Sequence, residues 1–326
     1  MTSTKNQFLL KAVSLLLSFI CLIQTSALFA QPVPAEPPAS GELEVIHVQG
    51  NVWLIAGVGG NIAVQAGDQG VFVVDTGANG FGEDVISAIA TISDRPIRYI
   101  VNTSIATQHV GGNSAIAILP GGSTSGAERG ARINVISQEN VLFRMSVSRN
   151  PDGEQIYPQL SWPTDGYYEP QRGQIFNGEA IDIIHMPNAY SDGDSVVYFR
   201  GSNVLVSGDI FANTGLPLID YAKGGSLSGT IAALDQMLDI TISDDLAEGG
   251  TYVIPGHGYI SDEADLVEYR DMTYIVRDRL QKLIVEDGLN LEQVIEARPI
   301  LGWESRYNRP EWTVNMFLEA VYHEFQ

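Results

Sequence analysis

NTSIATQHVGGN, residues 102–113, is the stretch on which the reading of this chain turns. It follows the apolar, strand-like Ile100 and Val101, passes through a polar turn, and reaches Gly111-Gly112, with a helix expected from Asn113. One histidine, His109, stands in it, in the company of Ser104, Ala106 and Gln108. An imidazole in such a loop is either an ordinary hydrogen-bonded residue or a metal ligand. The residues around it must decide.

Upstream, VIHVQGNVWLIAG (45–57) and NIAVQAG (61–67) read as two antiparallel strands with Gly59-Gly60 in the turn. GVFVVDTG (70–77) is a buried strand ending on Asp75 and a glycine turn. Apolar residues at helical spacing predict a helix over 83–93, and RPIRYIVNTS (95–104) is the strand that delivers the quoted stretch. Residues 121–178, rich in Gly, Ser, Pro and aromatics, read as irregular structure with short elements. AIDIIHM (180–186), SVVYFRG (195–201), NVLVSGD (203–209) and TYVIPGHG (251–258) are further strands. Ser261-Asp262-Glu263 opens a long helix through Lys282, and a last helical segment is expected from about Glu311. Strand-then-helix halves predict a layered α/β fold with its site in the loops beyond strand ends.

Lys5 and Lys11 flank and precede an apolar run, Ala12 to Ile23, followed by small residues in TSALFAQ. This is the layout of a secretory signal over residues 1–30, with cleavage expected after Ala30 or Ala27. The proline-rich residues 31–42 read as a linker, and 43–326 as one large domain. The expected location is therefore outside the cytoplasm, periplasmic or secreted, with no membrane contact after cleavage. Cys21 is the only cysteine, so the mature chain has neither disulfide nor thiolate ligand. The formal charge of −21, with no basic stripe, argues against nucleic acid and anionic membranes and leaves a small molecule as the expected partner.

Taken in order, GGNIAV (59–64), VVDTG (73–77), the 102–113 frame, PNAYSDGDSVVYF (187–199), SGDIF (207–211) and IPGHG (254–258) carry a resemblance. The chain resembles the metallo-β-lactamase superfamily, in particular its exported bacterial hydrolase-like members, over roughly residues 43–326. The resemblance implies a four-layer αββα sandwich. It also implies a two-zinc site in which most ligands are replaced here. Ser104, Ala106 and Tyr190 stand where the three histidines of the first zinc position would be, and Gln108 replaces an aspartate of the second. His109, Asp209 and His257 remain at the second position.

A catalytic zinc needs about three protein ligands and an open place. The first position is therefore expected to be empty. The second offers two histidines and a carboxylate, a set that suits one zinc or iron(II) ion. Gln108 can add a carbonyl oxygen but takes up no proton at neutral pH. Three readings stay open. One is a ligand-binding pseudo-enzyme with no metal. The second is a single-metal hydrolase using His109, Asp209 and His257 on activated esters, thioesters or lactams, with lactams the most demanding. The third is metal-free chemistry at Ser104 with His109 as base. Asp75 is expected to support the 102–113 loop from below. Asp192 and Asp194 are expected to hold the 187–195 turn, and His185 to be a packed strand residue. His47 and His323 receive no role. Trp162, Tyr167 and Tyr168 are candidates to line a groove.

Overall fold

The computed structural model describes residues 43–119, 133–246 and 249–326. The expected signal and linker lie outside the described residues. Two mixed sheets form the centre. The first has seven strands in sequential order: β1 (Glu44–Gln49), β2 (Val52–Ala56), β3 (Ile62–Gly67), β4 (Gly70–Val74), β5 (Ile97–Val101), β6 (Asn134–Gln138) and β7 (Asp165–Tyr167). The second has five, in the order β12-β11-β10-β9-β8, built from β8 (Gln171–Phe176), β9 (Glu179–His185), β10 (Ser195–Phe199), β11 (Val204–Ala212) and β12 (Tyr252–His257). Each sheet begins as an antiparallel meander and ends in parallel pairs: β4 to β7 in the first, β11 with β12 in the second.

Period-two alternation sorts the side chains into layers. Phe72 and Val74 point into the space between the sheets, where they meet Ile181, Ile183, Val197, Phe199, Val204 and Val206. Val71 and Val73 point the other way, onto Val85, Ala88 and Ile89 of helix α1 (Gly82–Ile92) and Ile116. On the far side, Ile184, Val196, Leu205 and Val253 pack against apolar residues of the later helices, among them Leu234, Met272, Val276 and Phe317. Three stacked cores separate helix, sheet, sheet and helix, the expected αββα sandwich.

Three details depart from the sequence reading. The stretch 45–57 is not one strand but a hairpin, β1 with β2, turning at Gly50 (φ 58°). The region 133–178 is more regular than its composition suggests, holding β6, β7, the six-residue β8 and helix α4 (Glu139–Val147) after the four-residue helices α2 (Thr107–Val110) and α3 (Asn113–Ile116). Helix α5 (Leu227–Ile240), capped by Ser226, was not anticipated. The long helix α6 (Glu263–Gln281) starts as expected, with the Asp262 side chain accepting from the Asp265 amide. After the short α7 (Leu291–Glu296) and α8 (Glu304–Tyr307), the last helix α9 (Val314–Glu324) begins behind Thr313. Among the described residues no helix is long and apolar enough to cross a membrane.

Candidate metal centre

The parallel strands deliver the site. Where β4 ends, Asp75 turns into the left-handed region (φ 65°), which Asp adopts more readily than most residues with a Cβ. Its carboxylate accepts from the Thr103 amide at 2.8 Å and the Thr103 hydroxyl at 2.6 Å, both just beyond β5. The same Oδ2 lies 2.7 Å from His109 Nδ1. Asp75 thereby holds the proton on Nδ1 and turns Nε2 of His109 to the opposite side. Loop and helix start are tied from behind. The His109 carbonyl accepts from the Thr76 amide at 2.9 Å, and Asn102 and Asn113 bond each other while Thr76 donates to Asn113.

From the second sheet, β11 brings Asp209 and β12 brings His257. β11 does not run straight: its register with β12 shifts on both sides of Gly208, which has φ 53°. A bulge of this kind re-aims the following side chain, here Asp209. A Cβ on Gly208 would come within 2.5 Å of Thr103 Oγ1, the hydroxyl that serves Asp75, so this position requires glycine. His257 closes β12, and its loop is held by Asn61, whose side-chain amide donates to the carbonyls of Pro255 (2.9 Å) and Gly258 (3.1 Å).

The result is a buried group. His109 Nε2 lies 3.0 Å from Asp209 Oδ1, and His257 Nε2 lies 3.3 Å from the same oxygen. One donor atom of each residue lies within 4.8 Å of the others. Yet neither approach has hydrogen-bond geometry, so His109 Nε2 and Asp209 Oδ1 are buried without a partner. Gln108 Oε1 is buried without one as well. Buried polar atoms are ordinarily satisfied. Burial alone would weaken His109 as a base, but the Asp209 and Asp75 carboxylates outweigh it and hold its pKa well above the ordinary histidine value. Burial opposes the Asp209 anion, yet His109 and His257 depress its pKa strongly. Two imidazole nitrogens and a carboxylate oxygen crowded around a common point, with His109 Nε2 and Asp209 Oδ1 unpartnered, have the chemistry of a divalent-cation site.

The other sequence candidates sit as follows. Ser104 is buried, and its Oγ accepts from the Ala106 amide at 3.2 Å. It is not bonded to His109, whose two ring nitrogens face Asp75 and Asp209, so the serine-nucleophile reading has no base. Tyr190 is buried, and burial, reinforced by Asp220, Asp209 and Asp194, pushes its phenol well above the usual range. Asp192 pairs with Arg144 through two contacts of 2.7 Å. Asp194 accepts from the Ser191 amide and hydroxyl, and His185 Nε2 lies 3.0 Å from the Asp192 carbonyl. His47 bonds the Gly50 carbonyl, and His323 lies against Tyr221 and Tyr322. Tyr167 lines no groove: it is in the inter-sheet core, its hydroxyl 2.6 Å from Ser195 Oγ. Trp162 packs beneath the 102–113 loop, and Tyr168 is exposed. Sequence reasoning missed Asn61, Thr103, Asn102 and Asn113, whose bonds build the frame. GGN before β3 and the paired asparagines of the 102–113 stretch were the available signals.

Comparison with known proteins adds the following. No curated protein sequence matches the chain. The stereoselective inverting sec-alkylsulfatase Pisa1 from Pseudomonas sp. superposes with a TM-score of 0.63 at 16% identity, over 87% of this chain and 50% of that one. The chain thus spans half the length of that sulfatase. The metallo-beta-lactamase from Pontibacter korlensis gives a TM-score of 0.54 at 16% identity, over 72% of this chain and 99% of that one. The DIM-1 metallo-beta-lactamase gives 0.53 at 16% identity, over 72% and 98%. At such identities these structures speak for the fold. The sequence profile of the metallo-beta-lactamase superfamily matches residues 47–257, from β1 to the last histidine of the site. The chain belongs to the metallo-beta-lactamase superfamily.

Proposed function

We propose that this protein is an exported, single-metal hydrolase of activated esters or thioesters. His109, Asp209 and His257 hold one zinc or iron(II) ion, and Gln108 adds its carbonyl oxygen. The observation that carries this reading is the converging donor set: His109, Asp209 and His257 each offer a ligand atom within 4.8 Å of the others, and His109 Nε2 and Asp209 Oδ1 are buried without a hydrogen-bond partner. A cation between them accounts for both unpartnered atoms.

When bound, such an ion supplies Lewis-acid activation of water and of an acyl carbonyl. The protein's own residues do the rest. Asp75 holds the Nδ1 proton of His109, so that Nε2 is the nitrogen that would give up its proton to an ion. Asp209, anionic between two imidazoles, offsets the ion's charge. The residues standing at the first metal position of the resembling family, Ser104, Ala106 and Tyr190, offer no second ligand set. Ser104 is spent on the Ala106 amide, and Tyr190 stays a neutral phenol. Gln108 cannot receive a proton where a carboxylate would. A leaving group that departs without being protonated therefore suits this site better than a lactam nitrogen. The charge-then-apolar leader over residues 1–30 supports export.

Gln108 also favours a second reading, a non-catalytic ligand-binding protein that keeps the groove. One experiment separates the two: zinc content of chelator-free protein dialysed against micromolar zinc, followed by hydrolysis of 4-nitrophenyl and thioester substrates. About one equivalent of zinc, with turnover that a chelator abolishes, is expected. Zinc without turnover leaves the binding reading. Absence of zinc refutes the metal site.

A further inference from the structure

Two more buried side-chain atoms among the described residues lack a partner, Thr214 Oγ1 and Glu311 Oε2, and the metal reading does not use them. Thr214 lies next to the site, and Glu311 is tied to Thr214 through Arg309. Thr214 follows the end of β11, where Ala212 pairs with His257. Its hydroxyl would be 3.2 Å from a Cβ on Gly258, the residue after His257. Glu311 is two residues from Arg309, whose Nε donates to the Thr214 carbonyl at 2.7 Å.

Arg309 is half-buried and held in place from both sides. The Leu216 amide donates to the Tyr307 carbonyl, and the Trp312 indole donates to the Pro217 carbonyl at 2.9 Å. Yet its guanidinium has no carboxylate at ion-pair distance among the described residues. Its neighbours differ: Arg298 pairs with Glu304, and Arg306 with Glu268. Burial lowers the Arg309 pKa, and Glu311 offsets this only in part. The Nε contact alone suffices to latch the segment, which leaves the two Nη groups without a structural task. A guanidinium with free Nη groups beside an unpaired hydroxyl offers a fork of donors lacking an acceptor, the arrangement that recognises carboxylate or sulfate oxygens.

We propose that Arg309 and the Thr214 hydroxyl form an anion subsite beside His257 that holds an oxyanion group of the substrate. Resting on the hydrolase reading, this makes the substrate an acidic ester, such as a half-ester of a dicarboxylic acid. Glu311, on the flank of the same guanidinium, tempers the affinity. Arg309 and Glu311 lie beyond the part of the chain that the superfamily profile matches, and Thr214 lies within it.

The test uses the full chain stripped of metal, so that oxyanions cannot bind an ion instead. Sodium succinate and potassium sulfate are titrated separately by calorimetry at constant ionic strength against chloride. Saturable binding of at least one is expected, and which one binds tells carboxylate from sulfate recognition. Arg309→Gln weakens it by about tenfold or more, as loss of a hydrogen bond to a charged group does. Thr214→Val weakens it by roughly threefold, and Glu311→Gln tightens it. If Arg309→Gln does not fold, the opposite shifts of the other two variants decide. No saturable binding, or binding that none of the variants changes, overturns the subsite. Because no metal is present, a protein that later takes up no zinc refutes the hydrolase reading without touching this result.

Discussion

The two sides of the candidate site differ in one physical respect. Among His109, Asp209, His257 and Gln108, three buried side-chain atoms have no hydrogen-bond partner. On the side of Ser104, Ala106 and Tyr190, no such atom occurs: the serine has its amide donor, the alanine has no polar side-chain atom, and the tyrosine remains protonated. Ser104, Ala106, Gln108 and His109 all follow the end of β5, while Tyr190 comes from the loop after β9, Asp209 from β11 and His257 from the end of β12. The difference teaches that neighbouring buried polar positions can be either satisfied within the protein or left unsatisfied, and that only the second kind calls for a ligand.

The largest effect belongs to the unsatisfied side. His257→Ala removes one of two imidazoles and should lower zinc affinity by on the order of 100-fold or more, read as metal per chain after dialysis. Retained zinc would break the comparison. Next comes Asp75→Asn, which keeps the left-handed backbone tolerable but presents an amide to His109 Nδ1. A loss of about 10–100-fold in zinc affinity is expected, with folded protein retained by circular dichroism.

A pH dependence follows in the metal-free protein. The folded His109 pKa is raised, so its protonated form adds stability that is fully present below the unfolded value near 6.5. That contribution is lost as pH rises through the folded pKa. Zinc competes with the proton for Nε2, so loading at neutral pH should release protons, measurable with an indicator dye in weak buffer. Release of none would mean that His109 does not bind the ion through Nε2. The smallest effect belongs to the satisfied side. Ser104→Ala loses one hydrogen bond, about 1 kcal/mol by denaturant titration, and leaves zinc content unchanged. A drop in zinc there would show that the two sides are one site.

Much of this architecture was legible in the sequence because burial writes itself into runs of β-branched residues. VFVV, IRYIV and VLVSGD become strands β4, β5 and β11 for that reason. The hairpin at Gly50-Asn51 was read through because apolar residues flank it on both sides. Helix α5 escaped because LSGTIAALDQMLDI mixes small and polar residues, and its packing against α6 and β11 is a tertiary matter. The three site residues were legible through their spacing within a familiar frame. Asn61 and Arg309 were not, since each acts on backbone far away in the sequence, at Pro255 and Thr214. No local pattern announces such a partner.

The bulge at Gly208 has a mechanical consequence. Asp75 and His109 belong to one sheet, Asp209 and His257 to the other, and Gly208 seats against the Thr103 hydroxyl that links the first pair. Neither sheet can slide over the other without pulling the site apart. An ion held there acts as a rivet between two plates, joining points from opposite halves of the chain. Its removal should be felt first as shear between the sheets, long before either sheet comes undone.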